Sequence, residues 1–179
     1  MKILKKMAYP FACSVLILLN ILAFSLDVRA TEGRSMLPTL SNDYVIVDKA
    51  SPYFKENAGL EFYDLVCLLD VKIEGRPCGK NLLKRVIGLP GDLIEIKNGV
   101  VFRNGKVIDD YAIEYKDNTT NLSTKVSEGH LFVLGDNRTN SLDSRIIGEV
   151  PLENVLGKVV HIVDSNSLLN KIIGCWINQ

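Results

Sequence analysis

Histidine is scarce in this 179-residue chain: His130 and His161 are the only two. Neither has a metal-ligand spacing. Both fall in or beside apolar segments, where a structural histidine with a satisfied ring is expected. A Ser-His-Asp triad is therefore poorly supplied, and no metal site is expected. An excess of either charge is also missing. Lysine and arginine number 21, as do aspartate and glutamate, so there is no basic field for nucleic acid and no acidic tail. Charged residues make up 23% and hydrophobic ones 47%, which excludes a disordered composition. The four cysteines (Cys13, Cys67, Cys78 and Cys175) lack zinc-type spacing. Cys13 and Cys175 sit in apolar runs as small hydrophobes. Cys67 and Cys78 flank a turn and are open to bridging in an oxidising compartment. Residues 75–80 are one residue short of a phosphate loop between the glycines, and Asn81 stands where a serine or threonine is required. No repeat and no low-complexity tract is visible.

What the chain does have begins at its N-terminus. Lys2, Lys5 and Lys6 precede an uncharged apolar run over residues 7–26, and about 20 such residues span a bilayer. Lysines on the N-terminal side predict that this end is cytoplasmic, with everything after Asp27 outside. A cleavable signal peptide is the alternative, with Val28-Arg29-Ala30 as a loose cleavage site. The run is longer than a usual signal core, and Asp27 and Arg29 crowd the site, so the uncleaved anchor is favoured. Residues 1–30 are thus expected to form a basic stub and transmembrane anchor, and residues 31–179 an extracytoplasmic domain. A domain that size buries roughly 70% of its unfolded surface, enough for a core without metal or disulfide staples.

That domain reads as mainly β. Residues 44–47 and 62–69 are short apolar stretches rich in strand formers. Residues 93–97 alternate with period two. Asn98-Gly99 and Asn104-Gly105 then separate runs at 100–103 and 106–108. Asn-Gly between such runs is a strong hairpin signal, because both turn residues need positive φ. A three-strand meander is predicted, with further strands at 131–134 and 155–163 and a polar loop or insertion at 114–128. Leu168, Leu169, Ile172, Ile173 and Trp176 recur at helical spacing. They predict a short C-terminal helix packed on the core rather than on a membrane.

Three segments carry possible chemistry. Residues 33–40, Gly-Arg-Ser-Met-Leu-Pro-Thr-Leu, surround Ser35. Gly33 permits unusual backbone angles and close approach of a substrate, and Pro38 stiffens the segment. Such a serine can present its hydroxyl and backbone N–H to a carbonyl, although alone the octapeptide reads as an ordinary turn. Lys84 lies inside the apolar run 82–89. Alternation puts it on one face with Leu82 and Val86, and puts Leu83 and Arg85 on the other. Burial disfavours an ammonium and lowers its pKa from about 10.4, so a neutral Lys84 can take a serine proton. A snorkelling surface lysine is the alternative. Residues 135–148 are dense in turn formers and charges directly after an apolar strand. Asp143 and Arg145 there are spaced to share a strand face.

Together the three segments resemble type I signal peptidases, the Ser-Lys proteases that remove signal peptides from exported proteins. The matching residues are Gly33, Ser35, Met36, Pro38 and Thr39, then Lys84, Arg85, Gly88, Pro90, Gly91 and Asp92. In the third segment they are Gly135, Asp136, Asn137, Arg138, Asn140, Ser141, Asp143, Ser144, Arg145 and Gly148. The resemblance implies an antiparallel β-sheet peptidase fold behind an N-terminal transmembrane helix. It makes Ser35 the nucleophile, Lys84 the general base and Ser141 the residue that orients the lysine. Asp143 and Arg145 become a supporting ion pair, and the Ser35 N–H an oxyanion donor. Some members add a serine hydroxyl where this chain has Gly33, which leaves the second oxyanion donor open. The resemblance further implies cleavage after an Ala-x-Ala pattern, read from an extended substrate whose alternate side chains enter pockets. Met36 and Leu83, beside the catalytic pair, are the candidate pocket walls. The implied partners are exported preproteins and the lipid bilayer, with no cofactor, metal or nucleic acid. The short stretch between Lys84 and Gly135 leaves no room for the large second β-domain of some relatives. A specialised processing peptidase for mitochondrial inner-membrane or pilin-type precursors shares these motifs. A self-cleaving repressor is disfavoured because an apolar run stands where its DNA-binding domain would be. A non-catalytic membrane-anchored binding module is disfavoured by the intact Ser35, Lys84 and Ser141.

Overall fold

The computed structural model describes residues 13–16, 25–50, 59–73, 76–77, 81–108 and 117–165. The expected C-terminal helix lies outside them, as does most of the expected anchor. Residues 13–16 are helical. Among the described residues no helix is long and apolar enough to cross a membrane.

The strands of the first half are β1 (Leu26–Ala30), β2 (Tyr44–Asp48), β3 (Leu65–Leu68), β4 (Lys72–Ile73), β5 (Arg76–Pro77) and β6 (Leu82–Gly88). Those of the second half are β7 (Leu93–Lys97), β8 (Val100–Arg103), β9 (Lys106–Val107), β10 (Leu122–Lys125), β11 (His130–Leu134), β12 (Val150–Pro151) and β13 (Val155–Val163). A seven-stranded sheet has the order β1-β2-β13-β3-β6-β11-β12, a four-stranded sheet the order β10-β7-β8-β9, and β4 pairs with β5 alone. The large sheet is antiparallel at every pairing. β1 pairs with β2 from Leu26 to Ala30, so the sheet reaches back into the segment expected as anchor.

The Asn-Gly signals act as predicted. Asn98 and Gly99 have φ of 49° and 78°, and Asn104 and Gly105 have 50° and 79°, the paired positive values of a tight hairpin turn. These turns fold residues 93–107 into the meander of the small sheet. The fourth strand of that sheet was not legible. Residues 122–125, Leu-Ser-Thr-Lys, fall in the segment expected as a loop. They pair with β7 as an edge strand whose one apolar anchor, Leu122, packs on the core. The stretch expected as a strand over 62–69 shortens to β3, because Tyr63 adopts φ 74° in the turn before it.

Three apolar clusters follow from strand alternation. Val66, Leu68, Val86, Leu131 and Val133 fill one face of the large sheet. Ile87, Phe132 and Leu134 point the other way and meet Ile94, Ile96 and Val101 of the small sheet. Met36, Leu40, Val45, Val47, Leu65 and Cys67 form the third cluster at the end of the large sheet nearest Ser35. Burying each such side chain contributes about 1.5–3 kcal/mol. The third cluster is also what anchors the segment that carries the serine.

Candidate active site

Strand β6 positions Lys84. β6 lies between β3 and β11, with Lys84 opposite Val66 of β3 and the β11 pairing starting one residue on, at Arg85; Lys84 is only 2% exposed. The alternation read from sequence holds: Leu82 and Val86 join one cluster, and Leu83 joins the cluster on the opposite side. Lys84 Nζ donates to Ser35 Oγ at 2.9 Å and to the Leu83 carbonyl at 2.8 Å.

Ser35 is half-buried in the turn over residues 33–40. Gly33 enters this turn with φ 99°, a value that disfavours any side chain although the space beside it is open. Leu40 N–H donates to the Met36 carbonyl at 3.0 Å. Met36 and Leu40 plug into the apolar cluster below, and the Leu37–Pro38 bond is cis. Asn137 N–H donates to the Ser35 carbonyl at 3.0 Å. The Ser35 N–H makes no hydrogen bond among the described residues, so it remains available to a ligand.

A second connection ties the turn to the sheet. Arg85 and Asp136 form a two-bond ion pair, Nε to Oδ1 at 2.8 Å and Nη2 to Oδ2 at 2.6 Å, with side chains 6% and 1% exposed. Thr39 Oγ1 donates to Asp136 Oδ2 at 2.5 Å. Sequence reasoning matched these three residues to the family pattern but gave them no role. A cation inside an apolar strand is the signal that could have shown it, since a buried charge requires a partner.

The loop after β11 is held by Asp143. Its Oδ2 accepts from Gly135 N–H at 3.0 Å, and Arg145 donates to both of its oxygens at 2.8 Å. Asp143 is fully buried. It caps the short helix Ser144–Ile147 rather than sharing a strand face with Arg145. Short polar residues favour such caps. Arg145 also donates to the Arg138 carbonyl at 2.7 Å and to Asp117 Oδ2 at 3.1 Å. Burial alone would push the Arg145 guanidinium down, but its bonds and charge contacts to Asp143, then Asp117, hold it above the ordinary arginine value.

Ser141 Oγ is buried and makes no hydrogen bond among the described residues. Ser141 packs against Gly135, where an added Cβ would lie 2.1 Å from Ser141 Oγ and 2.6 Å from the Ser35 carbonyl oxygen. Gly135 is the close-approach point at which the serine turn and the loop meet.

A cavity of about 270 Å³ opens beside Ser35 and Lys84, with Met36, Leu83, Cys67 and residues 29–33 among its walls. Both expected wall residues, Met36 and Leu83, line it. Cys67 is a free, buried thiol, and Cys78 lies outside the described residues. Burial pushes its thiol pKa up, against the lowering effect of Arg29. Neither histidine borders this cavity. His130 contacts the Glu128 carbonyl, and His161 is exposed on β13. Among the described residues no cluster of ligands could hold a metal ion.

A family described as "Signal peptidase, peptidase S26" matches residues 4–163. The chain is 33% identical over 153 residues to a probable signal peptidase I-1 of Synechocystis sp., covering 83% of this chain and 76% of that one. It is 34% identical over 166 residues to signal peptidase I of Bacillus caldolyticus, covering 84% and 86%. It is also 34% identical over 157 residues to mitochondrial inner membrane protease subunit 1 of Saccharomyces cerevisiae, covering 85% and 75%.

Proposed function

The chain belongs to the signal peptidase family, peptidase S26, and on that premise we propose that it is a membrane-bound serine endopeptidase that removes N-terminal signal peptides from exported preproteins. The observation that carries this reading is the 2.9 Å approach of Lys84 Nζ to Ser35 Oγ, with the lysine almost wholly out of water. Keeping an ammonium there is costly, which favours the neutral amine that a general base requires.

Ser35 Oγ attacks the scissile carbonyl while Lys84 Nζ takes its proton. The developing oxyanion is met by the free Ser35 N–H, and a donor so placed is worth roughly 3 kcal/mol. Collapse of the adduct leaves an ester on Ser35 and passes the lysine's proton to the departing amine. Lys84 then deprotonates a water that hydrolyses the ester. The substrate lies extended along the cavity, with small side chains beside Met36 and Leu83 in the Ala-x-Ala pattern. The apolar segment before β1 anchors the enzyme with its N-terminus in the cytoplasm, which keeps the site near the bilayer where the cleavage point of a precursor emerges. Similarity to the yeast mitochondrial protease subunit supports a second reading with the same chemistry, a specialised processing peptidase for a narrow set of precursors.

The test is incubation of the purified full chain with a preprotein, followed by N-terminal sequencing of the product. Wild type is expected to cut at one site after a small residue. Ser35→Ala and Lys84→Met are expected to lose cleavage with circular dichroism unchanged. Near-wild-type activity in either variant refutes the assignment.

A further inference from the structure

Asp117, a residue outside every motif, links the turn beside the small sheet to the loop that carries Asp143 and Arg145. Its turn is docked on the β7–β8 hairpin. Gly99 N–H donates to the Thr120 carbonyl at 3.0 Å, and Asn98 N–H donates to Asn121 Oδ1 at 3.1 Å. An added Cβ on Gly99 would lie 1.4 Å from the Asp117 carbonyl oxygen, so the two turns are in backbone contact. Asp117 Oδ1 accepts from Thr119 N–H and Oγ1 at 2.9 and 2.6 Å, and its Oδ2 accepts from Thr120 Oγ1. Oδ2 also accepts from Arg145 Nη1 at 3.1 Å. The Thr119 and Thr120 bonds, with a smaller contribution from Arg145, hold this carboxyl well below the usual carboxylate range.

Resting on the peptidase reading above, we infer that Asp117 is a positioning residue for catalysis, clamping Arg145 so that the Arg145–Asp143 pair holds Gly135 against Ser35. The chain of contacts is continuous. Asp117 bonds Arg145, Arg145 bonds both oxygens of Asp143, and Asp143 takes the Gly135 N–H. Gly135 in turn packs on the Ser35 carbonyl and on Ser141. Without Asp117, Arg145 keeps Asp143 but loses the contact that ties it to the small sheet. The loop can then shift by the fraction of an ångström that misaligned nucleophiles do not tolerate.

Asp117→Asn separates the clamp from the turn. The amide oxygen can still serve Thr119, while the charge facing Arg145 is gone. In preprotein cleavage by the full chain, D117N is expected to lower kcat about tenfold with KM within twofold of wild type. In an Arg145→Ala background the same change is expected to cost less than twofold, because the contact is already absent. Wild-type kcat in D117N, a loss confined to KM, or an equal loss with and without Arg145 would each overturn the inference. Should D117N fail to fold, Asp117→Ser, which keeps a short turn-forming oxygen, is read by the same criteria. Failure of the peptidase reading is distinguishable, since wild type and Ser35→Ala would then be equally inactive.

Discussion

Removing the carboxylate of Asp136 should do more damage than its distance from the reacting atoms suggests. In Asp136→Ala the Arg85 guanidinium, 6% exposed, loses two short bonds and keeps the Tyr63 carbonyl at 2.9 Å. Stranding one partner of a buried pair costs about 3–5 kcal/mol. Thr39 Oγ1 loses its acceptor in the same step, which frees the end of the turn that carries Ser35. Urea unfolding in detergent, followed by circular dichroism, measures the first effect, and preprotein cleavage measures the second. The companion variant Arg85→Met/Asp136→Leu removes both charges together. Replacing a buried pair by apolar groups is often neutral for stability, so the double variant should recover most of the lost free energy. It should stay slow in cleavage, because Thr39 still lacks its anchor. A loss below about 1 kcal/mol in the single variant, the ordinary worth of an exposed pair, would refute the claim that this ion pair is a buried tie. A double variant as unstable as the single one would refute it equally.

Gly135→Ala tests the meeting point of turn and loop. The new methyl would sit 2.1 Å from Ser141 Oγ and 2.6 Å from the Ser35 carbonyl. Overpacking of this kind costs about 1–3 kcal/mol, and displacement of Ser35 should cut kcat more than tenfold; full activity in a folded variant would contradict the contact. Acid stability should track Asp92 and Glu149. Burial alone would raise both carboxyls, but bonds to Asp92 from Arg103, Leu89 N–H and Asn104, and to Glu149 from Ser127 and Thr124, leave both lowered. A depressed carboxylate contributes stability that is full above its unfolded pKa, near 4, and is lost as pH falls through the folded value. Asp92→Asn should therefore lower stability at pH 7 and flatten its fall below pH 4, as urea midpoints measured from pH 7 to pH 2 will show; an unchanged acid limb would count against the role of Asp92.

What could be read in advance followed strong local rules. The hairpins at Asn98-Gly99 and Asn104-Gly105 need two consecutive positive φ values, which few residue pairs supply. Lys84 could be placed on a face because strand alternation has a period of two and its neighbours are apolar. β10 was missed because an edge strand needs little apolar surface, and its sequence offers only Leu122. The Arg145–Asp143 partnership was named, but its geometry was not, since a helix cap and a strand face can share the same residue spacing. The contact between Ser141 and Gly135 was out of reach, because the fit of a hydroxyl over a missing side chain depends on tertiary packing. Asp117 was hidden for a similar reason: its partners lie on a hairpin and a helix cap that only folding brings together.

The proposed chemistry needs a lysine that gives up its proton while a loop with two carboxylates packs against the serine turn. A free carboxylate beside Lys84 would stabilise the ammonium and weaken the base. The loop that follows β11 carries two carboxylates close to the serine turn, and both are saturated. Asp143 takes four bonds, from Gly135 N–H, Arg145 N–H and two guanidinium nitrogens, as many as a carboxylate has lone-pair sites. Asp136 takes three, from Arg85 Nε and Nη2 and from Thr39. Each arginine therefore does two things at once. It fixes a loop residue that positions the nucleophile, and it occupies a negative charge that would otherwise compete for the base. On this view Arg85→Lys is not conservative, because an ammonium cannot cover two carboxylate oxygens in a planar fork. The Asp136 oxygen left open would then loosen the tie to the turn that carries Ser35, and preprotein cleavage should slow.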